Sequence, residues 1–143
     1  PPGPLFGRLQ RGETITIEKE GVKKEIRPED VMGEMRPGRK IVYTGDTRPV
    51  AHIISEYAKD ADLLIHDATY DETETKRAAE FYHATAAQAG EAATEAGVKK
   101  LALVHVSSRY TDVSAHMKDA KGTFSGEVIA PNDLDMIEIT FRN

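Results

Sequence analysis

Three apolar runs in this sequence each end in an ionisable side chain. Asp46 follows Ile41-Val42-Tyr43 across Thr44-Gly45. His66 and Asp67 follow Leu63-Leu64-Ile65, and His105 follows Leu101-Ala102-Leu103-Val104. Such runs read as buried strands, and α/β proteins bind ligands at the carboxyl ends of their strands. His83, in Phe81-Tyr82-His83-Ala84-Thr85, stands where two helical patterns meet, in a loop able to lean over the same edge. Imidazole and carboxylate together suit zinc or a similar borderline cation.

Each of these residues also has a plainer use. Asp46 after a glycine suits an Asx turn or a helix cap. His66 suits a buried, hydrogen-bonded histidine, Asp67 a cap for the next turn, and His83 a helix end. His105, between Val104 and Val106, faces either a site or the core. His52 and His116 lie in helical segments among charged neighbours and read as solvated. The recurrence at strand ends is what favours a metal. Ser107-Ser108-Arg109-Tyr110 adds two hydroxyls and a guanidinium directly after a potential ligand. They can grip a phosphate oxygen through charge-assisted hydrogen bonds, or form an ordinary polar loop. Metal and phosphate grip together point to phosphodiester hydrolysis.

These residues need a scaffold that brings strand ends together. The pattern predicts strands at Lys40–Tyr43, Asp62–His66, Leu101–Val104, Glu127–Ala130 and Leu134–Phe141. It predicts helices from Pro49 to Lys59, over 72–82, from Thr85 to Ala96 with Gly97 as its C-cap, and from Asp112 to Lys121 ending at Gly122. The order β-α-β-α-α-β-α-β-β is an α/β fold with helices packed on a sheet. Ahead of it, Thr14–Glu18 and Val22–Ile26 pair as a hairpin across Glu20-Gly21, and Arg36-Pro37-Gly38 marks a turn.

The chain has 143 residues, a net charge of −5 and no cysteine. That is room for about one domain of ordinary size. Disulfides, thiolate metal sites and cysteine nucleophiles are excluded, and the lack of cysteine fits a reducing, cytoplasmic setting. No apolar run approaches the ~20 residues of a membrane-spanning helix. Residues 1–40 carry net charge +2 and five of the seven prolines, and the remainder carries −7. A basic joining segment over 1–39 and an acidic body over 40–143 follow. Opening on Pro1-Pro2-Gly3-Pro4 without a methionine, the chain reads as a fragment of a longer protein, or as one lacking its front.

Gly45-Asp46-Thr47, His66-Asp67-Ala68-Thr69-Tyr70, His83-Ala84-Thr85 and His105-Val106-Ser107-Ser108-Arg109-Tyr110 resemble the second half of ribonuclease Z. That family is the tRNA 3′-processing endonuclease of the metallo-β-lactamase superfamily. Pro1 to Gly7 and the basic stretch after it resemble the region joining the family's two halves. The resemblance implies one half, a sheet with its flanking helices, of a four-layer αββα sandwich. It implies two zinc ions in the intact enzyme, with Asp46 bridging them and His105 a ligand of one. It implies that Asp67 and His83 handle the proton of the leaving group, and that Ser107, Arg109 and Tyr110 hold the substrate phosphate. Precursor tRNA would lose its 3′ trailer to a hydroxide supplied by the metals.

The resemblance also implies a homodimer and a basic tRNA-clamping arm rooted near residues 1–39. The family's H-x-H-x-D-H cluster and a further histidine are absent from this chain. Asp46 and His105 alone fall short of the roughly three protein ligands a catalytic metal needs, so the chain by itself is expected to be inactive without the N-terminal half. Val106 stands where the family often has Phe. Asp67 is one methylene shorter than the Glu of many members. Two other functions fit the same residues: a metallo-hydrolase of small phosphodiesters or other esters, and a non-catalytic half-fold that binds a partner.

Overall fold

A computed structural model describes residues 3–33 and 38–140. Its contacts divide the chain into Pro1–Pro37 and Gly38–Asn143, and each unit is taken by itself.

In the first unit, helix α1 (Pro4–Gln10) starts with Pro4 at its first position after Gly3. There proline's fixed φ helps and its missing N–H costs nothing. The sequence pattern offers only a stiff turn at this point, because a seven-residue helix is too short to show a period. Arg8 and Arg11 both bind Glu13, at 2.8 and 3.0 Å, and hold its carboxyl below the usual range. Strands β1 (Ile15–Lys19) and β2 (Val22–Ile26) form the expected antiparallel hairpin. Both turn residues, Glu20 and Gly21, have positive φ, as a right-twisting two-residue turn requires. The short helix α2 (Pro28–Val31) follows. Arg36 and Pro37 of the expected turn lie outside the described residues.

The second unit is built on a parallel sheet with strand order β3 (Ile41–Tyr43), β4 (Leu63–Asp67), β5 (Lys100–Val104) and β6 (Glu127–Ile129). Between them run α3 (Ala51–Ala58), a 3-10 turn (Glu72–Glu74), α4 (Thr75–Glu80), α5 (Ala86–Ala96) and α6 (Ser114–Thr123). Four segments depart from expectation. Residues 72–82 split into the 3-10 turn and α4, because Asp71 caps the first by accepting from the Thr73 N–H at 3.0 Å. Helix α3 begins at Ala51 rather than Pro49. Helix α6 runs past Gly122 to Thr123. No strand forms over 134–140; Asn132 and Asp135 close a turn there, and the chain beyond it pairs with no strand among the described residues.

Successive strand residues point to opposite faces. Leu64, Leu101, Leu103 and Val128 join Ile54 and Ala58 of α3, Ala86, Ala89, Ala92, Ala93 and Ala96 of α5, and Ala120 and Phe124 at α6 in one apolar core. Helix α5 is fastened at both ends: Thr85 and Gln88 make a reciprocal capping box, and Gly97 takes the left-handed conformation at the C-cap. Its small residues admit α6 so closely that a Cβ at Gly90 would stand 2.7 Å from the Ala120 carbonyl oxygen. Residues of the other parity, among them Ile41, Tyr43, Ile65, Val104 and Ile129, lie outside this core. Ile41 and Tyr43 are more than half exposed.

Two histidines are enclosed on the helix side. His66 is fully buried, with Nδ1 on the Asp67 carbonyl oxygen at 2.7 Å. His116 corrects expectation, being buried rather than solvated, because α6 turns it inward toward Tyr110, whose ring meets it edge-on at 4.5 Å. Burial lowers the pKa of both. Below pH ~6.5 the unfolded chain takes up protons that the folded one resists, so stability falls as pH drops from there through the lowered values. The expected result is a urea midpoint that declines between pH 7 and pH 5. Replacing both histidines with leucine should flatten that decline, and an unchanged slope would refute the assignment.

Candidate active site

Asp67, the last residue of β4, is the centre of the site. It is fully buried, and four donors converge on its carboxylate. Oδ1 accepts from the Thr69 N–H at 2.8 Å and the Thr69 hydroxyl at 2.6 Å. Oδ2 accepts from the Thr47 N–H at 2.9 Å and from Nδ1 of His83 at 2.8 Å. Each oxygen therefore has both lone pairs engaged. One side chain thus ties together the loop after β3, the turn after β4 and the loop before α5.

His83 is placed by the end of α4. The His83 N–H returns to the Ala78 carbonyl at 2.9 Å, and the Tyr82 N–H to Ala79 at 3.4 Å. This is a Schellman closure with Tyr82 in the left-handed position, φ 62°. On the other side, Tyr70 pairs with the start of α5: its N–H bonds to Ala84 and its carbonyl receives the Ala86 N–H. His83 is held between these clamps. Because its Nδ1–H is committed to Asp67, Nε2 is the nitrogen free to carry a proton elsewhere.

His105 follows β5 with φ 61°, a costly conformation for a residue with a Cβ. Its ring stacks on His83, with centroids 5.0 Å apart. The Thr69 hydroxyl fixes its tautomer. Thr69 has one proton and gives it to Asp67, so it must accept from His105 Nδ1, 2.8 Å away. The lone pair of His105 Nε2 then faces Asp46 Oδ2 at 3.2 Å. Either a proton, giving an imidazolium–carboxylate pair, or a bound metal cation satisfies the two groups at that separation. Ligands 2.0–2.1 Å from a tetrahedral zinc stand roughly 3.3 Å apart, so Asp46 and His105 fit part of a metal shell. Asp67, His83 and His105 also bring donor atoms within 4.8 Å of one another. Asp67, however, has no lone pair left for a metal, and its role there is to orient.

Residues 15–106 match the family model described as a beta-lactamase superfamily domain. The chain belongs to the beta-lactamase superfamily. Its similar curated relatives include the ribonuclease Z of Methanosarcina acetivorans, 48% identical over 99% of this chain and 45% of that protein. The ribonuclease Z of Myxococcus xanthus is 44% identical over 100% of this chain and 46% of that protein. The chain spans about half the length of these relatives. Among solved structures, the short form of human tRNase Z is 26% identical with a TM-score of 0.58, over 90% of this chain and 42% of that one. The metallo-beta-lactamase fold protein YhfI from Bacillus subtilis is 25% identical with the same TM-score, over 83% of this chain and 45% of that one.

The superfamily fold thus brings together four of the residues singled out from sequence: Asp46, Asp67, His83 and His105. Ser107 lies beside them, its N–H on the Thr69 carbonyl at 3.1 Å. Tyr110 accepts the Asp71 N–H at its hydroxyl, and burial raises its pKa. Arg109 is engaged elsewhere: it binds Glu74 at 3.2 Å and lies over the Tyr70 ring. Thr47 and Thr69 were not foreseen as site residues. The signal for Thr69 was present in Asp67-Ala68-Thr69, a hydroxyl two residues after a carboxylate, within reach of an Asx-type bond.

Proposed function

We propose that this chain is the C-terminal half of a metal-dependent endoribonuclease that removes the 3′ trailer from precursor tRNA. The observation that carries the reading is the double use of Asp67. It binds Nδ1 of His83 directly, and through Thr69 it turns Nε2 of His105 toward Asp46. A proton donor and a metal-facing pair are thereby built on one buried carboxylate. The similarity to proteins named ribonuclease Z supports the substrate class.

Asp46 and His105 would hold part of a two-zinc centre, the other ligands coming from the other half of the protein. Such ions supply hydroxide at neutral pH and stabilise charge on a phosphoryl oxygen. The leaving 3′ oxygen needs a proton as its bond to phosphorus breaks. Protonated His83 donates it from Nε2 while Asp67 stabilises the imidazolium through Nδ1, which is general acid catalysis by an oriented histidine. Ser107 and Tyr110 line the phosphate side. Arg109 joins them by exchanging Glu74 for the substrate. A homodimer, a cytoplasmic setting and an arm rooted in the basic residues 1–39 belong to the same proposal.

The test uses the full-length protein and precursor tRNA carrying a 3′ trailer. Cleavage should leave a 3′ hydroxyl on the tRNA, stop on chelation and return with zinc. His105→Ala should lower bound metal, measured by plasma emission, together with cleavage. A metal-loaded wild-type protein that leaves the RNA intact would reject the reading.

A further inference from the structure

At the rim of the site the Arg48 guanidinium lies over the ring of Tyr82, 5.3 Å from its centroid. The two residues come from the loops that meet on Asp67. Arg48 follows Thr47, whose N–H binds Asp67 Oδ2, and Tyr82 precedes His83, whose Nδ1 binds the same oxygen. We infer that Arg48 and Tyr82 form a stacking platform for the nucleobase on the 5′ side of the cleaved bond. This rests on the endoribonuclease reading above and extends it to a base-binding subsite.

Three observations support it. Tyr82 is 65% exposed, and Phe81 beside it is 52% exposed, so the ring is not retained for packing. Its backbone occupies the left-handed position of a Schellman closure, φ 62°, where glycine is the usual residue and a bulky side chain is strained. A strained, solvent-facing aromatic next to a site residue is placed at a cost that folding does not return. Arg48, likewise, makes no ion pair among the described residues. The comparison with Arg109 is direct. That arginine also lies over a tyrosine, but Tyr70 is buried, so its ring leaves no open face on which a base could stack. At Arg48–Tyr82 both the charge and the ring are available.

Planar bases stack on tyrosine rings and guanidinium planes, and single-stranded RNA is commonly held this way. The position selects the base. His83 serves the leaving 3′ oxygen, and that oxygen belongs to the nucleotide on the 5′ side of the break. Its base is therefore the one beside Tyr82, with the Arg48 charge near the adjoining phosphate.

The experiment crosses protein variants with substrate variants in the full-length, metal-loaded protein. Tyr82→Gly and Tyr82→Phe are compared with wild type on precursor tRNA and on the same RNA made abasic at that one nucleotide. Tyr82→Gly suits the left-handed backbone, so loss of the fold does not confound it. Wild type should lose roughly tenfold in kcat/KM when the base is removed. Tyr82→Gly should lose a similar factor on the natural RNA and little more on the abasic one. Tyr82→Phe should keep most of the wild-type preference. Equal losses for Tyr82→Gly on both RNAs, or a wild type indifferent to the base, would overturn the platform while leaving the endoribonuclease reading intact. A wild type that cuts neither RNA would instead overturn that reading.

Discussion

Replacing His83 with alanine in the full-length protein should lower turnover on precursor tRNA by about 10²–10⁴-fold while bound metal stays at the wild-type level. The two halves of that expectation come from different atoms. The loss follows from Nε2, the nitrogen that is free because Nδ1 is bound to Asp67 at 2.8 Å. On the proposed mechanism, its removal takes away the imidazole that protonates the leaving oxygen. Water would then donate the proton, with a far less suitable pKa. The retention of metal follows from His105 and Asp46 as the proposed ligands, since the ring of His105 is oriented by Thr69 rather than by His83. The stacked ring of His83 supports His105 from one side, so a small loosening of metal affinity is consistent with the scheme. Loss of all bound metal is not, and it would make His83 a ligand. Measuring kcat and metal content on the same preparation separates these outcomes. A substrate with a better leaving group should suffer less from the change, since it needs less protonation.

The fold and the site were legible in the sequence to different depths, for physical reasons. Strands β3, β4, β5 and β6 were visible because a parallel sheet covered by helices requires short apolar runs, and such runs stand out from a charged surface. Helix α5 was visible because its alanines, its Thr85 cap and Gly97 all point to the same element. Helix α1 was not, since a short segment packed through Leu9 has no period to read. The strand expected over Leu134–Phe141 does not form across its described residues, 134–140, for the opposite reason. Its alternation of apolar and acidic residues suits a strand, but a pattern says nothing about whether an edge is there to pair with. Among site residues, the ionisable groups at strand ends could be located, because topology alone converges them. His116 reads as solvated from sequence and is buried, since its charged neighbours sit on the outer side of α6 while His116 itself turns inward. Thr69 and Thr47 were invisible as functional groups. One acts through a hydroxyl and the other through a backbone N–H, and neither is chemically distinctive until the carboxylate between them is seen.

Asp67→Asn should lower both turnover and stability. The side chain is fully buried and receives four hydrogens. An amide offers one oxygen and one NH2, so either orientation sets an NH2 against a backbone N–H, that of Thr69 or that of Thr47. Neither backbone group can rotate away, and an unsatisfied buried donor costs about 1–3 kcal/mol. The urea midpoint should fall accordingly. If the amide oxygen remains on Thr69, the NH2 faces His83 and the imidazolium loses its counter-charge. If it turns to His83, the Thr69 hydroxyl loses its acceptor and no longer fixes the tautomer of His105. The first orientation removes the proton donor and the second disturbs the metal-facing pair. Turnover should therefore fall roughly 10³–10⁴-fold either way. Asp67→Glu separates charge from geometry. It keeps an acceptor-only carboxylate one methylene longer, so it should recover more turnover than Asn even where its extra volume costs stability. An Asn variant within tenfold of wild-type turnover would mean that the carboxylate serves the fold and not the reaction. An Asn variant that outperforms Glu would mean that side-chain length, and not charge, sets the orientation of His83.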